Sequence, residues 1–135
     1  MNDVVLDTSA WFALAEREPG AESVEGYLEE AWDGRSLVHA SFVTLTELEY
    51  IRTMEKGAES AAKLISWTKE QPIRWHHSDD ALCSAAAKLK AAHRISFADS
   101  FVAALAQRLD ATLVHKDPEF IALAGIVKLA MLPPK

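Results

Sequence analysis

Residues 1–11 read MNDVVLDTSAW, and the fold is decided in this stretch. Val4, Val5 and Leu6 form a short apolar run of the kind that makes a buried strand. The run stops on Asp7, followed by Thr8 and Ser9. A strand aimed at a core and ending on a carboxylate needs either a structural or a chemical reason for that charge.

Working outward, apolar runs alternate with helical periodicity along the whole chain. Residues 9–18 read as a helix that stops at Pro19-Gly20. Val24, Tyr27, Leu28 and Ala31 share one face of a second helix, which Gly34 closes. Residues 36–40 form a short strand, and a helix over residues 44–56 ends at Gly57. The next helix, residues 58–70, buries Ala61, Leu64, Ile65 and Trp67 and is broken by Pro72. Residues 73–76 read as a third strand, and Ser78 caps an alanine-rich helix running to about His93. Ser96 begins a helix whose stripe is Phe97, Phe101, Val102, Leu105 and Leu109. Residues 111–115 make a fourth strand, Asp117-Pro118 opens a short helix, and residues 126–132 make a fifth strand. Strands separated by helices imply an α/β three-layer sandwich, with a mostly parallel sheet of four or five strands between helices. No repeat or linker divides residues 1–135, so one domain is expected.

Composition narrows the class. A hydrophobic share of 50% with 25% charged residues belongs to a soluble globular protein. The single cysteine, Cys83, excludes an internal disulfide framework, fits a reducing compartment, and reads as a small buried side chain. Asp3 precedes the first apolar run with no basic leader, and no apolar stretch reaches the roughly 18 residues of a membrane span. A cytoplasmic location is expected. The net charge of -6 argues against a broad electrostatic grip on nucleic acid, although it cannot show whether some acids are neutralised together by bound cations.

Four carboxylates stand near element boundaries: Asp7 in VVLDTS, Glu47 in TLTELEY, Asp99 in ISFADSF and Asp117 in LVHKDPEF. Each has a structural explanation taken alone. Asp7 and Asp117 fit helix N-caps, and Glu47 after Thr44 and Asp99 after Ser96 fit capping boxes. Together they suggest more, because parallel strands end along one edge of the sheet and ligands bind in the crevice there. Crowded carboxylates raise one another's pKa unless a cation intervenes, and an all-oxygen set suits Mg²⁺ or Mn²⁺ rather than zinc. Such a cradle suits phosphoryl chemistry. The chain has no GxGxxG, P-loop or zinc-type cysteine cluster to compete with it.

The order of DTS at the first strand end, TLTE, ISFADSFVAALA and then LVHKDPEF resembles the PIN-domain ribonucleases, especially the short VapC-type toxins. The resemblance spans nearly the whole chain and places Asp7, Glu47, Asp99 and Asp117 on the family's acidic site. It implies Mg²⁺- or Mn²⁺-dependent RNA hydrolysis leaving a 5′-phosphate, homodimerisation, and inhibition by a small antitoxin. The chain departs from the family pattern two residues before the last acid. His115 stands there in place of a small hydroxyl residue, and is read as a hydrogen-bonded bystander or as a group tuning that ligand. Ser9 is read either as a helix-start serine or as a partner for a metal-bound water or a phosphate, while Thr8 serves the turn.

Other residues favour structural readings. Trp11, Trp32, Trp67 and Trp75 are of the type that stacks on RNA bases, but Trp11 shares a helical face with Leu14, so core or dimer packing is preferred for it. His76-His77 with Ser78-Asp79-Asp80 reads as a strand end and a charged helix start. Lys88, Lys90, His93 and Arg94 read as solvated helix charges near a possible RNA path. The alternative to an enzyme is a non-catalytic Mg²⁺-binding module, either receiver-like or an inactive PIN domain. Receivers carry an acidic pair after the first strand, whereas Asp7 is followed by Thr8 and Ser9.

Overall fold

A computed structural model describes residues 2–134. Five strands form one sheet in the order β3-β2-β1-β4-β5: β1 Asn2–Leu6, β2 Ser36–Ser41, β3 Ile73–His76, β4 Thr112–His115 and β5 Leu129–Met131. Every neighbouring pair is parallel. The helices are α1 Thr8–Ala15, α2 Ala21–Trp32, α3 Phe42–Lys56, α4 Ala58–Lys69, α5 Asp80–Ala92 and α6 Phe97–Leu109, with a 3-10 helix at Pro118–Leu123. Among the described residues, no helix is long and apolar enough to cross a membrane.

Two cores lie on opposite faces of the sheet. Val4 and Leu6 of β1 join Trp11, Val24, Leu28 and Leu64 on the side of α1, α2 and α4. Val5 joins Leu82, Leu89, Val102 and Leu105 on the side of α5 and α6. A strand covered on both faces has no polar side to show, which explains the uninterrupted Val-Val-Leu run. Trp11 is fully buried, stacked on Trp75 and edge-on to Trp67, each at a centroid distance of 5.9 Å. Packing therefore accounts for Trp11, whereas Trp32 is exposed.

Several boundaries differ from the sequence reading for physical reasons. The first helix ends at Ala15 rather than residue 18, because Arg17 takes a left-handed φ of 54°. Gly20 then has φ +100°, and a Cβ there would lie 3.0 Å from that of Leu132, so only glycine fits the turn. The third helix begins at Phe42, directly on the end of β2, with Ser41 as its N-cap. Thr44 and Glu47 therefore lie inside α3, and they form no capping box. Asp79, not Ser78, caps α5. The last strand is only Leu129–Met131, preceded by an isolated bridge between Ala124 and Val127. Cys83 is exposed rather than buried, since the inward stripe of α5 is Leu82, Ala86 and Leu89.

From β1 the chain builds outward through β2 to β3, then returns past β1 to β4 and β5. Strand addition reverses between β1 and β4, and the crevice beyond the carboxyl ends of these two strands is the binding position of an open parallel sheet.

Candidate metal centre

Asp7 lies at that reversal point, one residue beyond β1. Its backbone N–H donates to the Val114 carbonyl of β4 at 3.0 Å, so it closes the ladder between the two strands. Its side chain caps α1: Oδ2 accepts the Ser9 N–H at 3.0 Å and the Ser9 hydroxyl at 2.5 Å. The Ser9 hydroxyl also accepts the Lys116 N–H at 2.9 Å, pinning the chain beyond β4 to the start of α1. Ser9 is therefore occupied in holding Asp7. Among the described residues, the other oxygen, Oδ1, is buried without a hydrogen-bond partner.

Glu47 reaches the crevice from the second turn of α3. The Thr8 hydroxyl donates to Glu47 Oε1 at 2.6 Å and lies 3.2 Å from the Thr44 hydroxyl, so Thr8 does more than serve its turn. Asp99 sits in the first turn of α6, where its N–H donates to the Ser96 hydroxyl at 3.1 Å. Its carboxylate is buried, and Oδ2 has no partner among the described residues. Asp117 caps the 3-10 helix by accepting the Glu119 N–H at 2.9 Å. Asp99, Asp117 and Glu119 each place an oxygen within 4.8 Å of the other two.

The electrostatics follow from this crowding. Burial pushes Asp7 up from 3.8 to about 6, opposed by the Ser9 hydrogen bonds and reinforced by the charge of Glu47. Burial also drives Asp99 up to about 8, with Asp7, Asp117, Glu119 and Glu47 all adding repulsion. Asp99 thus feels each of the other three acids singled out from the sequence. Two buried carboxylates, each with one oxygen unpartnered among the described residues, have a donor set that fits a hard divalent cation.

Glu119 is the residue that sequence reasoning missed. It stands two positions after Asp117, but its main partner, the backbone N–H of Ser96, lies far away in the chain. His115 is fully buried, and its Nδ1–H donates to the Asp117 carbonyl at 2.9 Å. Burial lowers its pKa and favours the neutral ring, and Nε2 has no partner among the described residues. The Lys116 ammonium donates to the Pro19 carbonyl at 2.7 Å and lies 3.5 Å from Glu18 Oε1. Lys90 donates to the Ile95 carbonyl, which gives it a structural task. His76 ends β3 as expected, and its Nε2 lies 2.8 Å from Nδ1 of the buried His39, whose Nε2 faces Asp3.

Comparison with known proteins agrees with this architecture. The chain superposes on VapBC2 from Rickettsia felis, solved with a DNA fragment from its promoter, with TM-score 0.78 and 18% identity over 97% of this chain and 99% of that one. DNA-bound VapBC from Salmonella typhimurium matches with TM-score 0.77 and 17% identity, covering 97% and 98%. Mycobacterium tuberculosis VapC20, a sarcin–ricin-loop-cleaving toxin, matches with TM-score 0.69 and 22% identity over 96% and 99%. No curated protein matches in sequence. The PIN domain family model matches residues 4–126, which include Asp7, Glu47, Asp99 and Asp117. The chain belongs to the PIN domain family.

Proposed function

We propose that this protein is a divalent-metal-dependent endoribonuclease, the toxin of a toxin–antitoxin pair, acting in the cytoplasm as a homodimer. The observation that carries the proposal is the pair of buried, partnerless oxygens, Asp7 Oδ1 and Asp99 Oδ2, among carboxylates that repel one another at the sheet's reversal point. The fold likeness to VapC chains and the family membership support the same reading.

Asp7, Glu47 and Asp99 would hold Mg²⁺ or Mn²⁺, with Asp117 assisting or completing a second position. A cation held there would supply Lewis-acid polarisation of a phosphodiester and activation of water at neutral pH. The protein's own part is orientation. Ser9 holds Oδ2 of Asp7 and leaves Oδ1 to a ligand, and Thr8 holds Glu47. The β4–3-10 turn fixes Asp117 through His115 and the Glu119 N–H. These contacts remove rotamer freedom before substrate arrives, so little reorganisation is left for the reaction. The acidic total fits this role, since cations at the site would reverse the local sign. A receiver also carries a lysine after its last strand, and the lysine that follows β4 here, Lys116, is tied to the Pro19 carbonyl and Glu18 instead, which disfavours that alternative.

The test is cleavage of RNA with and without Mg²⁺ or Mn²⁺, comparing wild type with Asp7→Asn. Metal-dependent cutting that is lost in the variant is expected. Equal cleavage by both proteins would sink the proposal.

A further inference from the structure

We infer that Glu119 is a positioning residue that caps α6 from a separate segment and so keeps the Asp99 carboxylate free for a cation. This rests on the metal site proposed above. In a capping box, the N-cap hydroxyl accepts the N–H of the third helical residue, whose side chain in turn accepts the N-cap N–H. Here the first half is present, because the Ser96 hydroxyl accepts the Asp99 N–H at 3.1 Å. The second half would use the Asp99 carboxylate. Instead the Ser96 N–H donates to Glu119 Oε1, and Asp99 Oδ2 stays buried with no partner.

The chain thus splits the capping box between two residues. Glu119 is itself held by its own N–H, which donates to Asp117 Oδ1 at 2.9 Å. One connection therefore runs from the N-terminus of α6 through Glu119 to Asp117, locking the spacing between the two carboxylates. Glu119 lies close enough to both to be mistaken for a ligand, since the three place oxygens within 4.8 Å of one another. Its Oε1, however, is committed to a backbone donor.

Removing Glu119 leaves the exposed Ser96 N–H without its protein acceptor. The Asp99 carboxylate, standing at the third helical position, is the group placed to fold back and take it. That movement withdraws Asp99 from the crevice. Mn²⁺ titration by calorimetry on the metal-free protein separates the roles. Glu119→Ala should weaken Mn²⁺ binding about tenfold, the size of effect expected from losing a capping interaction. Glu119→Gln retains the accepting oxygen without the charge, so its affinity should stay within about threefold of wild type. If Gln weakens binding as much as Ala, Glu119 is a ligand and the inference is overturned. Unchanged binding in the Ala variant overturns it as well. A metal-free crystal structure of Glu119→Ala gives an independent readout: Asp99 should accept the Ser96 N–H, and an unmoved Asp99 refutes the inference. If wild type binds no Mn²⁺ at all, the metal-site proposal fails, while this structure still decides what Glu119 does.

Discussion

Replacing Asp7 by asparagine should stabilise the metal-free protein at neutral pH. Asp7 ionises only at about 6 in the fold, against an ordinary value of 3.8, chiefly because it is buried. A carboxyl raised in this way carries no cost below its unfolded pKa, where it is protonated in both states. The cost accumulates as pH rises from about 4 to 6 and is constant above that. The rise from 3.8 to about 6 corresponds to roughly 3 kcal/mol against the ionised fold. Asparagine keeps an oxygen for the Ser9 N–H and hydroxyl, but sets an amide NH₂ where Oδ1 now lies without a partner. That unsatisfied donor costs about 1–2 kcal/mol, leaving a net gain of about 1–2 kcal/mol. For a chain of this size the gain equals a Tm increase of roughly 3–6 °C. The assay is thermal unfolding in EDTA at several values between pH 4 and 8. The difference should be full above pH 7 and should vanish or reverse near pH 4. A variant that melts below wild type at pH 7.5, or a gain independent of pH, would refute the reasoning.

Two further predictions concern the same crevice. Mn²⁺ or Mg²⁺ should raise the Tm of wild type and do so more at pH 8 than at pH 5.5, because protonated Asp99 and Asp7 compete with the cation; a shift equal at both pH values in differential scanning fluorimetry contradicts this. His115→Asn sets an amide N–H near the position of Nδ1 and should keep Mn²⁺ affinity within about threefold, whereas His115→Ala frees the Asp117 carbonyl and should lose about tenfold. Equal losses in both variants, measured by calorimetry, would leave the Nδ1–H contact without a role.

Local chemistry carried most of the fold into view from the sequence. Val4-Val5-Leu6, the breakers Pro19-Gly20 and Gly57, and the apolar stripe of α6 act within a few residues of themselves, so their patterns are readable. Asp7 and Asp117 were readable as caps, and both do cap. What stayed hidden depends on distant partners. The start of α3 at Phe42 was obscured because β2 runs into its cap, Ser41, with no loop between them. Glu47 looked like half of a local capping box, whereas its partner is Thr8 on the neighbouring strand's turn. The task of Glu119 depends on Ser96, and that of His39 on Asp3 and His76, pairings that exist only once the sheet is assembled. Cys83 was misplaced because an alanine-rich helix offers little periodic contrast to show which face is inward.

The most direct measurement is a crystal structure of the wild-type protein soaked in Mn²⁺, with anomalous diffraction used to locate the ion. The proposed site predicts an anomalous peak bound by Asp7 Oδ1 and Asp99 Oδ2, with Glu47 in the same shell. A peak elsewhere, or none at these oxygens with Mn²⁺ at millimolar concentration, would contradict it.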